Sequence, residues 1–157
     1  MRKEFKPILT DLKQYVCIYC GDPWEVREHY RPWDVFHEPW WLPACHRCNA
    51  KLGTKIHFTL QDRILFLKEK LLKKHGKALH NIEEIQEGLE GFLLEQVKAE
   101  HHKLEAIAAR RDWMTAMAAS TGSVVLEHLK DDQEMVRALS KLVNALLEDE
   151  MLDHRQI

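Results

Sequence analysis

The segment that decides the fold reads CIYCGDPWEVREHYRPWDVFHEPWWLPACHRCN and runs from Cys17 to Asn49. All four cysteines of the chain lie in its two C-x-x-C pairs, Cys17 with Cys20 and Cys45 with Cys48. Each pair can supply two thiolates from one tight turn, which Gly21 favours because it has no side chain. Four thiolates make the closed tetrahedral shell of a structural zinc site. The spacing therefore predicts one Zn2+ bound by all four cysteines.

The cysteine pattern fits a protein of a reducing compartment. The N-terminal segment MRKEFKPILTDLK is charged throughout and has no apolar core of signal-peptide length. No run approaches the ~18 apolar residues that a membrane span needs. We therefore expect a cytoplasmic protein with no membrane partner, in which the paired cysteines bind metal rather than form disulfides.

The formal net charge of −2 conceals an asymmetry between the two halves of the chain. Residues 1–80 contain 15 lysines and arginines against 9 acidic residues, whereas residues 81–157 contain 8 against 16. A basic half can neutralise phosphates and favours an anionic partner. The acidic half is either a functional surface or the solvated outer face of long helices.

The character of the sequence changes near residue 58. Residues 1–58 are rich in aromatic side chains and proline, whereas residues 59–157 have helical periodicity. One helical face contains Leu60, Ile64, Leu67 and Leu71. Thr59 is the predicted N-cap of this helix, and Gly76 lies near its predicted end. Further helical tracts are predicted from Ile82 to Ala119 and from Val125 onward, the last one interrupted at Asp131 or Asp132.

The order of motifs resembles that of the zinc-stapled HNH endonucleases of bacteria and phages, also called ββα-metal or His-Me finger nucleases. The shared features are a C-x-x-C pair with a following glycine, an acidic residue and a histidine (Glu28 and His29) with Pro32 nearby, and a second C-x-x-C pair with Asn49 directly after it. The resemblance covers roughly residues 15–75. It implies an α+β fold, with a small zinc-bound ββα-metal domain at 1–58, whose helix begins near residue 49, and an α-helical extension at 59–157.

The resemblance also implies a hydrolytic site. Glu28 would be a ligand of a catalytic Mg2+ or Mn2+, His29 would be the general base that activates water, and Asn49 would be the second ligand. Carboxylate and amide oxygens suit these ions, and a neutral imidazole accepts a proton near neutral pH. Adjacent side chains on a regular strand point to opposite faces, so a shared site requires an irregular turn near Pro32. Asn is also a favoured helix N-cap, which is the alternative role for Asn49.

Two positions depart from the motif of the family. Its first acidic residue is usually Asp, and the Glu28 side chain is one carbon longer. Its middle Asn, which braces the loop, falls on Trp41 in this chain. Trp41, together with Trp33 and Trp40, forms either a small core around the zinc or a platform on which bases stack.

Basic residues flank the motif on both sides, as residues that position phosphates would. They are Arg27, Arg31, Arg47, Lys51 and Lys55. The alternative is an ordinary solvated face.

These observations predict a metal-dependent endonuclease that hydrolyses DNA. The alternative function is a zinc-containing nucleic-acid-binding or adaptor protein with weak or no catalytic activity. In a third interpretation, the helical half is an oligomerisation or docking unit and the zinc domain is only structural. The apolar faces beyond Ile82 are expected either to pack against the helix near residues 60–72 or to form a homodimer through the C-terminal helices.

Overall fold

The computed structural model describes residues 4–31, 36–80, 90–122 and 124–153. Three short strands form one sheet: β1 (Lys6–Pro7), β2 (Val26–Glu28) and β3 (Trp40–Ala44). Their order is β1-β3-β2, with β1 parallel and β2 antiparallel to the central β3. Glu28 lies opposite Leu42, so β2 ends beside the middle of β3. The start of β2 lies beside the end of β3 that leads into Cys45, since Val26 is opposite Ala44.

A short helix, α1 (His46–Leu52), follows β3 directly. It begins three residues before the predicted start near residue 49, because Cys45 caps it. The Cys45 backbone is extended, and its sulfur accepts a hydrogen bond from the Cys48 amide at 3.4 Å. The predicted alternative role of Asn49 as N-cap is therefore wrong. The helix ends at Gly53, whose positive φ of 53° suits glycine.

The helical extension contains three long helices: α2 (Leu60–His80), α3 (Gly91–Ser120) and α4 (Gln133–Asp153). The Thr59 hydroxyl accepts from the Asp62 amide at 3.0 Å, which confirms the predicted cap of α2. Helix α2 ends at His80, so Gly76 lies near its C-terminus as predicted, and buried Leu79 belongs to the turn that follows the glycine. The predicted start at Ile82 lies outside the described residues.

The last helix begins where an acidic residue interrupts the periodicity. A short 3-10 helix (Leu126–His128) comes first, and Asp132 then accepts a hydrogen bond from the Met135 amide at 3.0 Å. The predicted interruption is thereby confirmed at Asp132.

One apolar core crosses the boundary predicted at residue 58. It runs from Ile18 in the first cysteine turn through Leu67 of α2 to Met117 of α3 and Leu139 of α4. Helices α2 and α3 pack against each other, so the intramolecular packing expected for the helical half is present. A homodimer stays a prediction. None of the described helices has both the length and the apolar character that crossing a membrane requires.

Candidate metal centre and adjoining polar network

The four cysteine sulfurs converge on one point. All lie within 4.8 Å of one another, and the Cys20 and Cys45 sulfurs are 3.7 Å apart. A tetrahedral zinc with Zn–S bonds of about 2.3 Å places its sulfurs about 3.8 Å apart. The four side chains are buried, with at most 3% of any residue exposed. The predicted grouping is confirmed, and the group could hold a metal such as zinc.

Hydrogen bonding among the thiols shows why a cation suits this cluster. Hydrogen bonds from Cys17, Cys20 and Cys48 lower the pKa of the Cys45 thiol. The same network, led by Cys17, raises the pKa of Cys20 and of Cys48. Four thiols this close cannot all ionise against their mutual repulsion, so full ionisation requires a bound cation.

The first cysteine turn is shaped to receive a side chain from α3. The Gly21 amide donates to the Cys17 carbonyl at 2.9 Å, and Gly21 has a φ of 80°. A Cβ atom at Gly21 would lie 2.6 Å from two atoms of the Trp113 ring. The Trp113 indole N–H donates to the Ile18 carbonyl at 3.0 Å. Gly21 therefore serves both the turn and the docking of α3.

Glu28 is buried at the end of β2, and both of its carboxylate oxygens are hydrogen bonded within the chain. The Tyr19 hydroxyl donates to one oxygen at 2.6 Å, and Arg63 of α2 donates to the other. A second nitrogen of Arg63 donates to the Tyr30 carbonyl at 2.8 Å. Glu28 is 3% exposed and Arg63 is 2% exposed. The structure therefore gives Glu28 a cationic partner that the sequence analysis did not identify.

The protonation states in this network suit an ion pair. Burial raises the pKa of Tyr19 well above its usual value, with Arg63 opposing that rise and Glu28 adding to it. Burial alone would lower the pKa of Arg63, but Tyr19 and Glu28 raise it. The hydroxyl thus stays protonated as a donor, and the guanidinium stays charged. A divalent ion would have to displace Arg63 to reach Glu28, and leaving a buried charge unpaired costs about 3–5 kcal/mol.

His29 follows Glu28 directly but has different neighbours. Its half-buried ring contacts Phe5, with the ring centroids 5.3 Å apart at an angle of 65°. Adjacent residues of an extended segment are expected to diverge in this way. The predicted role of Pro32 in turning the chain lies outside the described residues. Glu28 as metal ligand and His29 as base stay predictions.

Asn49 is exposed in the middle of α1. Its backbone belongs to the helix, donating to the Cys45 carbonyl at 3.0 Å and accepting from the Gly53 amide at 3.1 Å. Helix α1 packs beside β2, so Asn49 and Glu28 belong to neighbouring elements. Across the described ranges, no second group of three or more His, Cys, Asp or Glu side chains could hold a metal.

Trp41, where the HNH resemblance places a middle Asn, is buried in an aromatic cluster. It is 5% exposed, stacks on Trp24 with centroids 5.7 Å apart, and lies near Tyr15. Arg27 lies over the Trp41 ring at 5.3 Å. The burial of Trp41 favours packing over base stacking, while a core formed around the zinc stays a prediction and Trp33 lies outside the described residues.

Three of the other basic residues predicted to contact nucleic acid are engaged within the protein. Arg31 pairs with Glu38 at 2.9 Å, and Lys55 lies over the Phe66 ring at 4.3 Å. Arg47 pairs with Asp22 at 3.1 Å.

Arg110 of α3 is a basic residue that the sequence analysis did not identify. It donates to the same oxygen of Asp22 that Arg47 uses, at 2.8 Å. No local motif marks this contact, because it joins residues 88 positions apart. Asp22 thus links the two cysteine turns to the helical half.

Comparisons with protein-family models, with curated proteins and with solved structures find no match to this chain. Its class therefore follows from its own structure. The chain is an α+β protein with a small sheet, four described α-helices and a four-cysteine group that could hold a metal.

Proposed function

We propose that this protein binds DNA through a zinc-stabilised ββα unit of the HNH type and does not use Glu28 for hydrolysis. The observation that carries the proposal is the ion pair of Glu28 with Arg63, completed by the Tyr19 hydroxyl. The two carboxylate oxygens already have donors, so the residue expected to bind a catalytic metal instead joins β2 to α2. The ββα unit is then a scaffold for binding.

The arrangement of the front half supports the HNH-type plan. An antiparallel pair, β2 and β3, is followed directly by α1, which packs beside β2. The four cysteines lie at the start of this unit and at the join of β3 and α1, where one zinc would fasten both turns. Zinc would supply structural cross-linking only, because four thiolates leave no open position for a substrate.

The charge distribution supports an anionic partner. The basic excess of residues 1–80 lies in the half that contains the cysteine turns, α1 and α2. Lysines and arginines that meet phosphates release counterions, so DNA affinity would fall steeply with salt.

The second candidate function is metal-dependent DNA cleavage. It is favoured by the position of His29 directly after β2 and by the neighbouring α1, which carries Asn49. Here Mg2+ or Mn2+ would be held by Asn49 and by a Glu28 released from Arg63, and His29 would accept a proton from water.

Plasmid DNA separates the two candidates. Zinc-loaded wild type is incubated with supercoiled plasmid in Mg2+, Mn2+ or EDTA, beside His29→Ala and the control His46→Ala, which changes an exposed histidine of α1. The proposal predicts salt-dependent binding of DNA and no metal-dependent nicking by any of the three. Nicking by wild type and His46→Ala that falls roughly 100-fold or more in His29→Ala would establish the second candidate. Absence of DNA binding at low salt would overturn both.

A further inference from the structure

Five basic side chains from three helices come together beside the cysteine cluster, and we call this surface the basic junction. Its members are Arg47 and Lys51 of α1, Lys74 and His75 of α2, and Arg110 of α3. We propose that the basic junction is the surface on which this protein binds the phosphate backbone of DNA. This inference rests on the proposed function and adds that the helical half supplies part of the binding surface.

The convergence is visible in the packing. Arg47, Lys51 and Arg110 line one small cavity, together with Cys20 and Cys48. Arg47 and Lys51 are four residues apart on α1 and so share one helix face. Arg110 reaches the same place from α3 because Trp113, one turn along, is fixed against Gly21. Docking of α3 on the first cysteine turn therefore builds the junction.

Electrostatics extend the junction to α2. The pKa of His75 is lowered, first by burial and then by the positive charges of Lys74, Lys51, Arg110 and Arg47. The side chains are therefore near enough to repel one another. Among the described residues, the carboxylate that pairs with this group is Asp22, which Arg47 and Arg110 share. Lys51 and Lys74 have no ion-pair partner among the described residues.

Holding the metal centre would account for only part of the positive charge of the basic junction. The junction has four permanent cations. Asp22 offsets one, and a zinc bound by four thiolates, which is formally doubly negative, would offset two, so one positive charge remains in excess. Two of the four cationic side chains are accessible to a partner, because the Arg47 side chain is 45% exposed and Lys74 is also exposed.

The spread of the cations indicates a polyanion. A small anion contacts only two or three donors, whereas a chain of phosphates meets groups spread over three helices. Arginine offers a planar fork and lysine a mobile point charge, and both bind phosphate. Arg31 and Lys55 are not part of this surface, because neither lines the cavity that Arg47, Lys51 and Arg110 share.

The test compares two double variants of the full zinc-loaded chain. Lys51→Gln/Lys74→Gln removes two charges from the junction, and the control Lys103→Gln/Lys141→Gln removes two exposed charges from α3 and α4. Fluorescence anisotropy with a short labelled DNA duplex gives the affinity over a range of salt concentrations, and circular dichroism verifies the fold. Each lost phosphate contact reduces the salt slope by about 0.9, which corresponds to about 8-fold in affinity at 0.1 M salt.

We expect the junction variant to bind about 60-fold more weakly at 0.1 M salt, with a slope lower by about 2, and the control to bind nearly as wild type does. Equal binding by wild type and the junction variant would overturn the inference and leave the proposed function standing. A wild type that binds no DNA would overturn both. A loss of zinc affinity with unchanged DNA affinity would assign the junction to the metal centre. Preferential binding to phosphatidylserine vesicles would assign it to membranes, and either result overturns the inference.

Discussion

Removing Arg63 should show how far the fold depends on the buried ion pair. In Arg63→Met, a side chain of similar length leaves the Glu28 carboxylate without its cationic partner, although Tyr19 still donates to it. Glu28 is 3% exposed, so water cannot replace the guanidinium without opening the core. Breaking such a pair costs about 3–5 kcal/mol. That is a large part of the roughly 5–15 kcal/mol that stabilises an ordinary domain.

A compensating variant separates lost charge pairing from lost packing. In Glu28→Gln/Arg63→Met, the amide oxygen still accepts from Tyr19, and no charge is buried. We expect the double variant to recover most of the stability lost in the single variant, because a neutral replacement of a buried pair is often nearly neutral in free energy.

Urea denaturation of the zinc-loaded proteins, followed by tryptophan fluorescence, measures both changes. The midpoint should fall strongly for Arg63→Met and return toward that of wild type for the double variant, with similar slopes. A single variant within about 1 kcal/mol of wild type would show that Glu28 does not depend on Arg63.

Two further predictions concern the cysteine turns. Gly21→Ala should destabilise the protein by about 2–4 kcal/mol, because the new Cβ atom would clash with Trp113 at a residue of positive φ. The control Gly91→Ala, with a φ of 66° and open space around it, should cost only about 1–2 kcal/mol. Thermal denaturation compares the two variants, and equal losses of stability would argue against docking of Trp113. Cys48→Ser should abolish stoichiometric zinc in elemental analysis and the cooperative unfolding of the front half; a variant that retains one zinc per chain would show that the four-cysteine site is wrong.

Spacing and periodicity in the sequence were sufficient to predict several parts of this structure. Two C-x-x-C pairs predict a shared site because each pair forms its turn locally, and Thr59 caps α2 through a contact three residues away. The apolar face of α2 follows in the same way. These features depend on residues near one another in the chain, where spacing fixes geometry.

The parts that sequence reasoning missed depend on contacts between distant residues. Arg63 is a buried charge on the apolar face of α2, and only the folded structure shows that its side chain pairs with Glu28, 35 positions away in the chain. Trp113 and Gly21 are 92 positions apart, so the turn and the docking of α3 could not be connected from spacing. The start of α1 was misplaced because Cys45 acts as both a thiol of the cluster and a helix cap.

A calorimetric titration of Mn2+ into the zinc-loaded protein measures whether Glu28 can bind a metal. If Arg63 occupies the Glu28 carboxylate and zinc binds only at the cysteines, we expect no Mn2+ binding with a dissociation constant below about 1 mM, a threshold equivalent to about 4 kcal/mol. One Mn2+ bound per chain in wild type, and lost in Glu28→Gln, would identify Glu28 as a metal ligand and show that Arg63 does not exclude a metal from it.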